Sequence, residues 1–179
     1  MTDGLLDQEE WADASRLSLS DSVELRLKEY RGHVFIGLVF RGLGRPFVAN
    51  LFVQPGDRKI HQLHASAQIG ERILSPGEGD DPPFVWGYSP GWYANEVRWV
   101  NAKTQSLTES GADPDEAQRE SLFPYDGFEF ELLRSRFEGS EWLLRVDVLA
   151  YPDYHTPIVF PAGTTRKNTE GWFRLMFSE

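Results

Sequence analysis

Val23, Leu25 and Leu27, separated by Glu24, Arg26 and Lys28, alternate apolar and charged side chains with a period of two. An extended strand puts successive side chains on opposite faces, so this segment reads as one with a dry face and a wet face. The same period returns twice far along the chain. Phe128, Phe130 and Leu132 alternate with Glu129 and Glu131, and Trp142, Leu144, Val146 and Val148 alternate with Leu143, Arg145 and Asp147. A helix would repeat its apolar residues about every 3.6 positions, not at every second one. The pattern therefore points to an all-β chain with sheets packed face to face.

Turn residues divide the chain into further strands. Arg31-Gly32 turns it into the apolar run Val34 to Phe40, and Gly42 to Pro46 turns it again into Phe47 to Val53, so these strands are expected to form a meander. Pro55-Gly56-Asp57 precedes a more polar strand pair within Lys59 to Leu74, and Ser75 to Pro83 has the composition of a loop. The turn near Gly139 predicts a hairpin between the Phe128 and Trp142 segments, and Gly171 to Phe177 reads as a last strand. Asp113-Pro114-Asp115-Glu116 supplies an N-cap, a first-turn proline and first-turn acids, predicting one short helix over Pro114 to Leu122. With 179 residues, 40% of them hydrophobic, the expected architecture is one domain, an antiparallel two-sheet β-sandwich of about eight or nine strands.

Charge narrows the partners. Eighteen basic residues against 28 acidic ones give a net charge of -10, which repels phosphate backbones and anionic lipid and leaves neutral or cationic partners favoured. Nucleic acid and membrane are not expected partners. The absence of cysteine removes disulfides, thiolate metal sites and cysteine nucleophiles. Met1 to Glu10 is acidic and has no basic segment followed by an apolar run, so the chain reads as cytoplasmic, or as secreted if a leader has been removed.

The opening residues Asp3-Gly4-Leu5-Leu6-Asp7-Gln8-Glu9-Glu10-Trp11-Ala12-Asp13-Ala14 resemble the first motif of carbohydrate-binding modules of family 9 and their DOMON-type relatives, with Leu6, Glu10, Trp11 and Ala14 in register. The resemblance continues at Val34 to Phe40 and at Tyr125-Asp126-Gly127-Phe128-Glu129-Phe130-Glu131. It implies a β-sandwich and a sugar ligand, with haem as the other ligand class such relatives hold. Trp11 reads as an anchor for the sheet, not as part of a ligand site.

A sugar site wants flat aromatic rings beside side chains that hydrogen-bond in fixed directions. Trp86, Tyr88, Trp92 and Tyr93 lie in a turn-rich segment close to Asn95, Glu96 and Arg98, and these seven are the expected ligand-binding residues of a non-catalytic carbohydrate-binding-like module. Two alternatives remain: a glycan-active enzyme using acids such as Glu129, Glu131 or Asp147, and an interaction module whose aromatics are all buried. No nucleophile elbow, phosphate loop, dinucleotide fingerprint or His-Glu-x-x-His occurs.

No cofactor is expected. His61 and His64, three apart on a strand, should point to opposite faces, which suits neither a shared metal ion nor one recruiting His33 and His155. Glu78, Asp80 and Asp81 could offer oxygens to calcium, but they lack the ligand spacing of a dedicated calcium loop. For haem, Met176 is the one plausible internal methionine, and packing in a strand accounts for it.

Overall fold

The computed structural model describes Leu6 and residues 9–41, 45–56, 59–66, 68–77, 79–95, 105–115, 117, 127–151 and 153–177. Among them twelve strands run in chain order: β1 Ser15–Ser20, β2 Val23–Tyr30, β3 His33–Phe40, β4 Arg45–Gln54, β5 Ile60–Ala65, β6 Ile69–Leu74, β7 Val85–Trp86, β8 Trp92–Ala94, β9 Gly127–Leu133, β10 Glu141–Tyr151, β11 Asp153–Phe160 and β12 Phe173–Met176. They form an antiparallel sandwich. One sheet has five strands in the order β1-β2-β3-β9-β8, and the other has seven in the order β11-β10-β4-β5-β6-β7, with β12 also paired to β10.

Alternation decides which side chains enter the sandwich. Val23 and Leu25 of β2, Val34, Ile36 and Leu38 of β3, and Phe128, Phe130 and Leu132 of β9 meet Leu51 and Val53 of β4 and Trp142, Leu144, Val146 and Val148 of β10 in one buried cluster. Each fully buried side chain of this size contributes about 1.5–3 kcal/mol of transfer free energy, so this layer dominates the stability. The expected all-β sandwich is the observed architecture.

Two expected pairings differ from the structure. β2 and β3 form the expected hairpin, with Arg31 and Gly32 both at positive φ in its turn, but the next strand does not extend a meander. β4 lies in the opposite sheet, and the second edge of β3 is taken by β9. Likewise β9 and β10 do not form a hairpin: they belong to different sheets and face each other across the core. The connection between them is an arch, with Phe137 fully buried and its carbonyl accepting the indole N–H of Trp142 at 2.7 Å.

The additional strands are edge elements or short ones. β1 is almost wholly exposed along one edge of its sheet. β11 contains Pro157, a residue that cannot donate a ladder hydrogen bond and is therefore found on sheet edges. Helix among the described residues is confined to 105–109 and to 114, 115 and 117. The predicted cap is present there, with Asp115 N–H donating to the Asp113 side chain at 2.9 Å; most of the predicted span beyond it lies outside the described residues. No helix among the described residues is long and apolar enough to cross a membrane.

The outer face of the five-stranded sheet is partly covered by the N-terminal segment. Trp11 lies across Gly37 of β3, where an added Cβ would come within 3.1 Å of the indole and 2.6 Å of Leu6. A side chain at 37 would lift this cover from the sheet. The indole N–H donates to Glu129 Oε1 at 3.0 Å, and Lys28 sits 4.7 Å from the centre of one of its rings. The segment is thus tied to the sheet by shape, a hydrogen bond and a cation–π contact.

Candidate functional site

β8 is the short edge strand of the five-stranded sheet, and the turn before it, Ser89-Pro90-Gly91, leads the chain onto that edge. Gly91 has a φ of 88°, and an added Cβ would come within 2.5 Å of the Arg136 side chain, so glycine is required by both backbone and space. This turn places Tyr88 in solvent, directs Trp92 into the core and puts Tyr93 opposite Glu131 of β9.

A cavity of about 400 Å³ opens at this edge, lined by His33, Tyr88, Trp92, Tyr93 and Glu131, with Gly91 and Leu133 beside them. Its size falls within the roughly 300–1,000 Å³ usual for small-molecule sites. His33 and Glu131 lie diagonally across the β3–β9 ladder, and their Nδ1 and Oε1 atoms are 2.8 Å apart. Both side chains remain partly open to solvent. The tyrosines supply ring surface, while the carboxylate and imidazole supply directional polar groups.

The seven residues singled out in the sequence separate into different roles. Tyr88 is 70% exposed and Tyr93 is half-buried, and both border the cavity. Trp92 borders it too, yet is only 2% exposed: its indole N–H donates to Glu71 Oε2 at 3.1 Å inside the sandwich. It is a core residue, not the exposed stacking ring that its turn-rich neighbourhood suggested. Alternation explains this, because Trp92 shares the inward direction of Ala94.

Trp86 is 54% exposed but lies on the other sheet, its ring over Gly70, stacked on Phe84 at 4.9 Å and edge-on to His64. It is not among the residues that line the cavity. Asn95 is buried and clamps β8 to β9: its Nδ2 donates to the Gly127 carbonyl at 2.8 Å, and its Oδ1 accepts the Glu129 N–H. Glu96 and Arg98 lie outside the described residues. The sequence presents His33 only as one possible metal ligand; its pairing with Glu131 joins residues 98 positions apart, for which the local pattern carries no signal.

The other candidate groups have different surroundings. Glu129, expected on the wet face with Glu131, is 1% exposed because Trp11 covers it. Asp147 lies on the outer face of the seven-stranded sheet, 2.7 Å from Arg145, and burial raises its pKa against the opposing effect of that arginine. Of the three acids, Glu131 alone lines the cavity.

His61 and His64 point to opposite faces, as their spacing predicts. His61 faces the interior and donates from Nδ1 to Glu71 Oε1 at 2.9 Å. His64 is on the outer face, 2.9 Å from Asn50 Oδ1; burial, aided by Arg72, lowers its pKa to about 4. In the acidic loop, Asp81 is within 3.0 Å of Arg72, Arg166 and Lys167, which makes it an ion-pair hub instead of an open oxygen donor. Among the described residues, no group of three histidine, cysteine, aspartate or glutamate side chains is arranged to hold a metal. Met176 is 61% exposed at the end of β12 and does not pack internally as the sequence suggested.

A polar cluster lies behind Trp92 and Gly91 of the cavity lining. Glu71 of β6 accepts hydrogen bonds from His61, Ser89, Trp92 and Arg136. Burial alone would raise its pKa, but the hydrogen bonds from His61, Ser89 and Arg136 and the charge of Arg136 lower it to about 2. Arg136 also donates to the Pro90 carbonyl and to Ser89 Oγ, so the cluster anchors the turn carrying Tyr88. No protein-family model matches the chain, and comparison with curated proteins and with solved structures finds no match.

Proposed function

We propose that the protein is a non-catalytic binding module that takes a carbohydrate or similar polyol in the cavity at the β8 edge. The observation that carries this reading is the convergence of Tyr88 and Tyr93 with the His33–Glu131 pair around about 400 Å³ of space. Sugar rings present C–H faces suited to packing on tyrosine, and their hydroxyls both donate and accept, which matches a carboxylate beside an imidazole. The resemblance of the Trp11 motif to sugar-binding sandwiches agrees with this ligand class. Of Glu129, Glu131 and Asp147 only Glu131 lines the cavity, Glu129 being covered by Trp11 and Asp147 lying on the other sheet, which favours binding over glycoside cleavage by a carboxylate pair.

Tyr88 is the residue to test, because its exposed side chain can be shortened without opening the core. Calorimetric titration with mono- and oligosaccharides should give saturable binding that Tyr88→Ala weakens by about tenfold, the equivalent of 1.4 kcal/mol. Saturable sugar binding that Tyr88→Ala and Tyr93→Ala both leave unchanged would remove the site from this cavity.

A further inference from the structure

Resting on the polyol reading, we infer that the ligand of the Tyr88–Tyr93 cavity carries a positive charge, as an amino sugar does, with Glu131 as its counter-ion. Glu131 and His33 are the only titratable acid and base among the cavity's described lining residues, apart from the tyrosines; no lysine or arginine is among them. His33 meets Glu131 at Oε1, and Oε2 has no other partner among the described residues. His33 Nδ1 lies close to Oε1 without making a hydrogen bond to it, so neither carboxylate oxygen is tied up by a donor among the described residues.

Arg136 sits immediately behind Gly91 and could have neutralised this site. Its guanidinium is instead committed to Glu71, Ser89 and the Pro90 carbonyl. The cation behind the turn is thereby engaged with the interior and the turn backbone, and the wall it supports presents a carboxylate. Two tyrosine rings add faces of negative potential that attract an ammonium group. The net charge of -10 favours approach of the same ligand from solution.

An ammonium group can form a charge-assisted hydrogen bond to Glu131, roughly twice as strong as the neutral bond a hydroxyl forms. The test is titration of the full chain with glucose, glucosamine, N-acetylglucosamine and choline under one low-salt buffer at neutral pH. Glucosamine should bind about tenfold more tightly than glucose. N-acetylglucosamine, which lacks the charge, should lose that advantage. Added salt should narrow the gap, and Glu131→Gln should abolish it in protein whose circular dichroism shows it folded.

Equal affinity for glucose and glucosamine overturns the charge inference while leaving the polyol reading intact. Binding of choline but of none of the sugars supports the cationic site and overturns the polyol reading. Absence of binding by all four at millimolar concentration overturns both. These comparisons hold on the unmodified protein even if the Glu131 variant does not fold.

Discussion

Two carboxylate–imidazole pairs lie on either side of β8 with nearly equal nitrogen–oxygen distances, but only the first is a hydrogen bond. His61 Nδ1 is 2.9 Å from Glu71 Oε1, and His33 Nδ1 is 2.8 Å from Glu131 Oε1. Glu71 is buried and its two oxygens are shared among four donors, whereas Glu131 is partly exposed, borders a cavity and has one oxygen close to its histidine. The chemical groups are the same, so the surroundings separate their roles. A saturated buried pair holds structure, while an unsaturated pair at a cavity wall can exchange water for ligand.

That contrast should be visible in stability and binding. Trp92→Ala, which removes the indole packed against the buried cluster, should cost about 3–5 kcal/mol by chemical denaturation. A loss below 1 kcal/mol would contradict its placement in the core, by roughly the margin that separates surface from core substitutions. Glu71→Gln should cost about 2–3 kcal/mol, because it removes the charge facing Arg136 and leaves fewer acceptors for four donors.

Acid should act on the buried groups in two steps. Glu71 has its pKa lowered from 4.5 to about 2, so the folded state favours its ionised form; the associated stability is present above pH 4.5 and is lost as pH falls towards 2. His64 is lowered from 6.5 to about 4, so the folded state favours the neutral ring and the unfolded state takes up the proton first. Its contribution is present above pH 6.5 and is lost between 6.5 and 4. Unfolding free energies measured across this range should therefore fall earlier in the parent than in His64→Asn, when each is normalised to its value at pH 7.5. Identical profiles from 6.5 to 4 would exclude His64 as the group responsible.

Smaller stability effects belong to the cavity pair. Glu131→Gln should change stability by less than about 1 kcal/mol, as expected for a polar contact partly open to solvent. Tyr88→Ala should change it by less than about 0.5 kcal/mol while weakening sugar binding. A Tyr88→Ala loss of several kcal/mol would place its ring in the structural half of the comparison.

Much of the fold was legible because alternation is a local property. The periods of β2, β9 and β10 identify strands and inward-facing residues from a few neighbouring side chains. Partners are not local: the same inward face would suit β9 and β10 as a hairpin in one sheet or as opposed strands in two. The buried Phe137 arch and the ladders to β3 and β4 select the second arrangement.

For the candidate site, the aromatic segment led to Tyr88 and Tyr93, but composition could not distinguish Trp92 in the core from Trp86 on the other sheet. Nor could it pair His33 with Glu131, because their contact exists only after β3 and β9 align.

By itself, the sequence determined the β class, the main strands, the opposite directions of His61 and His64, and a net charge of -10. Those properties follow from backbone periodicity and summed charge, which need no knowledge of distant contacts. Tertiary structure alone decided that Glu71 would be saturated and Glu131 left beside a cavity. That distinction depends on which strands converge and how completely their neighbours replace water.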